Sequence, residues 1–260
     1  NNSTLTMIQT TCTLLRQYLY HRRLSTIAHN GLKTQMQMQM RKRATEKWFE
    51  TIVIGEKLCP FAMATRKEPQ LRIVTSSGST HDDIVDEIAS EAHLLMGGMN
   101  TTTTTSTSTS TSRTRQGQEE HQQPPPETTL VVLNEEKCPS LLNFRDLVHL
   151  SWQVQDECIV QNGYEKDLQI VLFHPLAVHN TYGYGNGNGN DDSDDYGDAA
   201  DYTIRSPYPI IHLLREVDVM KAVKSGYKDL EGLPSRNKAK LRKLGLEVCK
   251  QRLDDCKQLL

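Results

Sequence analysis

The sequence lacks any apolar run near the roughly 18–20 residues that a transmembrane helix needs, so we expect no membrane span. It has six cysteines in 260 residues and no C-x-x-C pair, which argues against a disulfide-rich fold and against a zinc ribbon. Its formal net charge of −2 offers no excess of basic residues for binding nucleic acid. Walker, G-x-G-x-x-G, G-x-S-x-G and H-E-x-x-H motifs are missing, so no motif indicates a cofactor.

Acidic residues are also missing from the first 45 positions, which contain seven lysines and arginines. A basic, acid-free segment with serine and threonine is typical of an organelle transit peptide. Residues 13–27 have the pattern of a short amphipathic helix, and residues 22–25 (RRLS) resemble a mitochondrial processing site. We predict that residues 1–43 direct the protein to the mitochondrion; a plastid address, or a disordered basic tail on a cytoplasmic protein, is the alternative.

Two stretches of low complexity interrupt the rest of the chain. Residues 99–127 hold a Thr/Ser tract and three prolines, and residues 180–201 alternate Gly and Asn before a cluster of aspartates. Such compositions cannot bury enough apolar area to offset the entropy lost on ordering, so we predict disordered insertions. The aspartates do not form an EF-hand, because Thr203 stands where the bidentate glutamate belongs.

What remains, roughly 165 residues, is enough for one cored domain over residues 44–246, followed by a C-terminal helical extension over 247–260. Strands are predicted at 71–76, 128–133 and 168–173, and helices at 45–58, 82–96, 141–160, 209–224 and 235–260. Strands that alternate with helices favour an α/β fold with a small, mainly parallel sheet of three or four strands. A fourth strand is expected near 202–205, and a ferredoxin-like α+β arrangement is the alternative.

Cys59 is the first candidate for chemistry. It precedes Pro60, which suits the first position of a new helix over 60–66, so Cys59 would occupy the N-cap. The positive end of a helix favours a thiolate and lowers the thiol pKa. Cys59 is therefore a candidate nucleophile or metal ligand. If it stands instead at the C-terminus of the helix 45–58, the thiolate is disfavoured; an inert buried cysteine is the further alternative.

His174 is the second candidate, because it follows directly after the third predicted strand. Ligands of parallel α/β sheets bind beyond the carboxyl ends of the strands, where a histidine can act as acid, base or ligand. A structural histidine that caps the strand is the alternative.

A third candidate region is the segment 205–216 (RSPYPIIHLLRE). With a helix beginning at Pro209, the side chains of His212, Arg215 and Glu216 would share one polar face. Arg205 and Ser206, with the first N–H groups of that helix, could hold a carboxylate or phosphate next to Tyr208. The alternative is a local salt bridge between Arg215 and Glu216.

These segments resemble a family named only as domain of unknown function 1415 (DUF1415). The resemblance is carried by WFETIVIGEKLCPFA (48–62), the strand ending in FHP (173–175), RSPYPIIHLLRE (205–216) and PSRNKAKLRKLG (234–245). It supplies no activity. It implies motif positions at Cys59, Pro60, Phe61, His174, Pro175, Arg205, Ser206, Pro207, Tyr208, Pro209, His212, Leu214, Arg215, Glu216 and Asn237.

Two functions are compatible with these residues. The first is an enzyme acting on a small anionic substrate, with Cys59, His174 and His212 as catalytic residues and Arg205, Ser206, Tyr208, Arg215 and Glu216 as substrate-binding residues. A metal variant uses Cys59, His174 and His212 as ligands. The second is a noncatalytic module that binds an anionic metabolite or an acidic peptide. No cofactor is predicted, and the oligomeric state is left open.

Overall fold

The computed structural model describes residues 31–66, 70–97, 126–179, 197–224 and 231–258. The chain divides into two compact units, Asn1–Arg41 and Lys42–Leu260. Within the first unit, residues 31–41 are helical. The amphipathic helix and processing site predicted at 13–27 lie outside the described residues, as do most of both predicted insertions. No helix in the described ranges is long and apolar enough to cross a membrane.

The second unit is built on one four-stranded sheet. Its strands are β1 (Leu71–Thr75), β2 (Thr128–Val132), β3 (Leu168–Phe173) and β4 (Ile210–Arg215), in the order β1-β2-β4-β3. β1 pairs with β2 in parallel, and β4 is antiparallel to both β2 and β3. The three predicted strands therefore run in the same direction, but β4 lies between two of them, so the sheet is mixed and not mainly parallel.

Helices cover both faces of this sheet, which confirms the α/β class. They are α1 (residues 42–48 with the π-helical Phe49–Ile54), α2 (His81–Leu95), α3 (Phe144–Val154, continued by the π-helical Gln155–Val160), α4 (Glu216–Lys224), α5 (Leu233–Leu244) and α6 (Leu246–Lys257). One hydrophobic core lies between one face of the sheet and the helices α2 and α3. The other core lies between the opposite face and the helices α1, α5 and α6. α6, predicted as an extension, contributes Cys249, Leu253 and Cys256 to that second core.

The first half of the helix predicted at 209–224 is wrong, because residues 210–215 form β4. Six mainly apolar residues are too few for periodicity to separate a helix from a strand, and the paired isoleucines favour a strand. Hydrogen bonding to β2 on one side and to β3 on the other then fixes the strand. The fourth strand expected near 202–205 is also wrong, since Ala199–Thr203 is a 3-10 helix.

The second predicted insertion, 180–201, extends too far, because its last residues take part in that 3-10 helix. Asp198 caps it by accepting a hydrogen bond from the N–H of Ala200, and Asp201 is buried. Asp198 further accepts hydrogen bonds from Arg242 on α5. The last aspartates of the cluster therefore belong to the folded unit.

Candidate functional site

A cavity of about 520 Å³ lies on the sheet face that carries α1. Alternate residues of three strands form its floor, because side chains on a strand point to opposite faces in turn. These residues are Thr128, Leu130, Gln169, Val171, Phe173, His212 and Leu214. The turn 59–65 and α1 line the opposite side, and Arg215, Asp218 and Lys221 lie along the lining at the start of α4. We refer to this space as the sheet-face cavity.

Aromatic side chains line one part of the sheet-face cavity. The ring of Trp48 packs edge-on against Phe173 with 5.2 Å between centroids, and Phe173 lies 6.1 Å from the ring of His212. Trp48 donates its indole N–H to the backbone oxygen of Arg205 at 3.1 Å. The indole hydrogen bond and the ring contacts fix these side chains, so the apolar wall is preorganised.

His212 stands in the middle of β4, opposite Val171 on β3. Its Nε2 lies 2.5 Å from the hydroxyl oxygen of Thr128, and that hydroxyl donates to the backbone oxygen of Leu213 at 3.0 Å. Desolvation lowers the pKa of His212 to about 4. The imidazole is therefore neutral at physiological pH, and it is partly open to the cavity.

Cys59 lies across the cavity in a run of turns over residues 60–65, so the helix predicted there is not formed. Burial raises the pKa of the Cys59 thiol, although the N–H groups of Phe61 and Ala62 donate to the sulfur and oppose that rise. The expected lowering of the pKa is thus wrong. A single short turn supplies two N–H donors but no long helix dipole, and desolvation outweighs them.

Side chains of α5 and α6 hold the chain just before Cys59. The chain reverses at Lys57, whose φ is +52°, and the amide of Asn237 then donates to the backbone oxygen of Leu58 at 2.6 Å. Lys240 bonds the backbone oxygen and the carboxylate of Glu56, which also pairs with Arg252. Burial opposes the charge on Glu56, but these two partners outweigh it and lower the pKa of its carboxyl.

The charged residues of the lining are mostly paired with each other. Arg215 donates from Nε to Asp218 at 2.5 Å, and Lys221 donates to the other oxygen of Asp218 at 2.9 Å. Arg215 ends a strand and Glu216 begins α4, so they do not share the helix face that was expected. Glu216 instead accepts a hydrogen bond from Gln169.

Five predicted site residues lie outside the cavity lining: Glu216, described above, and His174, Arg205, Ser206 and Tyr208. His174 is buried, with Nε2 bonded to the oxygen of Leu141 at 2.9 Å and Nδ1 accepting from the N–H of Leu176 at 3.0 Å, so both ring nitrogens are used. Arg205 donates to the oxygen of Ala177 and stacks on Tyr202, while the hydroxyl of buried Ser206 bonds the oxygen of Tyr208. The cavity thus brings together Cys59, His212 and Arg215. It does not include His174, Arg205, Ser206, Tyr208 or Glu216.

The metal variant receives no support from the described ranges. They contain no group of three His, Cys, Asp or Glu side chains placed to hold a metal ion. His174 has both ring nitrogens engaged by backbone groups, so it is not free to act as a third ligand beside Cys59 and His212.

Comparison with known proteins identifies the family. The model of a family described as protein of unknown function (DUF1415) matches residues 40–113 and 99–251. The chain belongs to the DUF1415 family. Searches of the curated proteins and of the solved structures found no match. The matched range contains every lining residue of the sheet-face cavity, and also α5, which holds the turn before Cys59. In this DUF1415 chain the cavity therefore lies within the region that the family model covers.

Sequence reasoning missed much of the lining. Thr128, Leu130, Val171 and Phe173 read only as members of buried strands, and nothing in a single sequence shows which strand face is left uncovered. One signal was available: His212 interrupts a short apolar run, and a polar side chain within such a run must find a partner or a cavity. The sequence marks Trp48 only as an apolar residue of the helix predicted at 45–58.

Proposed function

We propose that this chain binds a mainly apolar small molecule in the sheet-face cavity. The observation that carries the proposal is the cavity itself: its volume falls within the range of small-molecule sites, and its walls are aromatic and aliphatic with few polar groups. Trp48, Phe173 and Leu130 offer flat and branched apolar surface to a ligand. His212 and Cys59 supply polar atoms within the same space.

The charge of the lining supports an apolar ligand more than the expected anion. Among the described residues, the lining holds two basic side chains, Arg215 and Lys221, and two acidic ones, Asp218 and Glu127, so it has no excess positive charge. Asp218 pairs with both basic side chains. An anion would have to compete with that carboxylate, whose side chain is only 13% exposed. Apolar contact needs no such exchange, because it gains from the removal of apolar surface from water.

The test uses N-phenyl-1-naphthylamine, a neutral probe that fluoresces in apolar surroundings. The full chain should bind it saturably with one site per chain. Val171→Phe should abolish binding, because the new ring would occupy the cavity beside His212. Val160→Phe is the matched control, since Val160 is 43% exposed and does not line the cavity. Equal binding by the two variants would show that the probe binds elsewhere.

A second candidate is an enzyme that acts on a small anionic substrate. It is favoured by one observation: Cys59, His212 and Arg215 line the same cavity. The protonated thiol and the weakly basic imidazole make a thiolate–imidazolium pair unfavourable, so His212 would act alone as a base. Tighter binding of 2-naphthoate than of 2-naphthol would support this candidate.

A further inference from the structure

The polar atoms of the sheet-face cavity differ in whether the protein already uses them. Arg215, Asp218 and Lys221 bond to one another, and Gln169 donates to Glu216. A ligand can bond only to donors and acceptors that the protein does not already use. The first of these is found on His212. If the cavity binds a small molecule, as proposed above, these donors and acceptors decide the chemistry of that ligand.

Thr128 fixes which nitrogen of His212 carries the proton. A hydroxyl has a single proton, and the backbone oxygen of Leu213 can only accept, so the Thr128 hydroxyl donates there at 3.0 Å. The hydroxyl oxygen then accepts from Nε2–H of His212. A neutral imidazole has one proton, so Nδ1 is left as an acceptor.

Nδ1 of His212 is open to the cavity. Within the described ranges its ring makes one hydrogen bond, that to Thr128, and the ring is not among the buried side chains that lack a partner. Since Nδ1 is not sealed from solvent and His212 lines the sheet-face cavity, we place this nitrogen at the cavity surface. Desolvation keeps the ring neutral by lowering its pKa.

Glu127 provides a second acceptor. It precedes β2, lines the cavity, and its carboxylate makes no hydrogen bond or ion pair with the described part of the chain. Among the described residues its charge therefore has no ion-pair partner, in contrast to that of Arg215. His212 Nδ1 and the Glu127 carboxylate are thus two hydrogen-bond acceptors in the lining.

We infer that the ligand of the sheet-face cavity is an apolar molecule that carries a hydrogen-bond donor, an alcohol, phenol or amine, with the donor directed to His212 Nδ1. A carboxylate or phosphate end would meet a second acceptor at His212 and a like charge at Glu127. The apolar body lies against Trp48, Phe173 and Leu130. This ligand class differs from the anion expected from the sequence.

Matched naphthalenes test the inference by calorimetry on the full chain. 2-Naphthol should bind roughly three- to tenfold more tightly than 2-methoxynaphthalene, which has the same oxygen but no proton to donate. 2-Naphthoate should bind more weakly than 2-naphthol. His212→Phe should remove the preference for the naphthol while 2-methoxynaphthalene still binds. Equal affinity of the naphthol and the ether for the wild-type chain would overturn the inference.

The amine arm uses 2-naphthylmethylamine, with Glu127→Gln as the variant. The variant should weaken binding of the amine and leave binding of 2-naphthol unchanged, because it removes a charge and keeps the size of the side chain. An unchanged affinity for the amine would remove Glu127 from the ligand site.

A measurement on the ligand-free protein separates the inference from the proposed function. The ¹⁵N shifts of the His212 ring should show a protonated Nε2 and an unprotonated Nδ1, and Thr128→Val should make the two forms mix. The opposite tautomer would overturn the inference even if N-phenyl-1-naphthylamine binds. If no probe binds the cavity, the proposed function and the inference fail together.

Discussion

Cys59 and His212 show at the scale of single residues how burial sets chemical state. Each lies where its charged form loses solvation. Burial therefore raises the pKa of the Cys59 thiol and lowers the pKa of the His212 imidazole, and both stay neutral at physiological pH. The sequence predicted an activated thiolate at Cys59, because a proline after a cysteine suits the start of a helix, whose N–H groups stabilise a negative charge. The desolvation that opposes it comes from α1 and the sheet, which are distant in the chain.

Alkylation of Cys59 measured against pH tests the first of these states. Because burial raises the thiol pKa, the midpoint should lie above the value of about 8.5 for a free cysteine thiol in a peptide. Peptide mass spectrometry assigns the label, since the other four described cysteines are buried. A midpoint below about 8.5 would contradict the raised pKa and support an activated thiolate at Cys59.

The stability of the folded chain should fall on acidification because of His212. Its pKa is 6.5 when unfolded and about 4 when folded, so between these values the unfolded chain binds the proton that the folded chain does not. The contribution is complete above pH 6.5 and is lost as the pH falls toward 4, up to about 3 kcal/mol. His174, whose pKa burial also lowers, acts in the same direction.

Urea unfolding of His212→Asn between pH 7 and pH 4.5 measures that contribution. The variant should lose less unfolding free energy over this range than the wild-type chain, whatever its absolute stability. His149→Asn, at an exposed histidine, should keep the wild-type slope. Parallel pH profiles for His212→Asn and the wild type would show that His212 is not buried neutral.

At the scale of elements, the contact between α5 and the segment before Cys59 positions one wall of the cavity. Asn237→Asp replaces the donor to the Leu58 oxygen with an acceptor of the same shape. We expect it to cost about 1–2 kcal/mol in urea unfolding. It should also speed alkylation of Cys59, because the turn would be held less tightly.

Asn162→Asp is the matched control, since Asn162 also donates to backbone oxygens, those of Glu157 and Cys158. It removes the same kind of bond far from the turn, so it should leave the Cys59 rate unchanged. If both variants speed the reaction equally, the effect is general loosening of the fold and not the loss of the Asn237 contact.

The strands also show at this scale what sequence patterns can and cannot establish. The continuous apolar runs of β2 and β3 predicted strands covered on both faces, and helices do lie on both sides. The run IIHLLR was misread because Pro209 before it and Glu216 after it suit either a strand or a helix start. Residues 210–215 become a strand because they pair between β2 and β3, and that pairing is a property of the tertiary fold.

At the scale of the whole molecule, the cavity is produced by parts that are distant in the chain. Trp48 comes from α1, Cys59 from the turn, Val171 from β3 and His212 from β4. Cys59, His212 and Arg215 could be selected from local patterns, but the apolar lining between them could not. It depends on which face of β4 meets α1, and a shift of one residue in register would turn His212 to the other face.

Protection of Cys59 by N-phenyl-1-naphthylamine tests the central claim most directly, because Cys59 is part of the cavity wall. The Cys59 alkylation rate would be measured on the full chain without probe and at ten times its dissociation constant. If the probe occupies the sheet-face cavity, the rate should fall about tenfold, as mass action requires. An unchanged rate at a concentration where fluorescence shows saturation would place the probe elsewhere and contradict the claim.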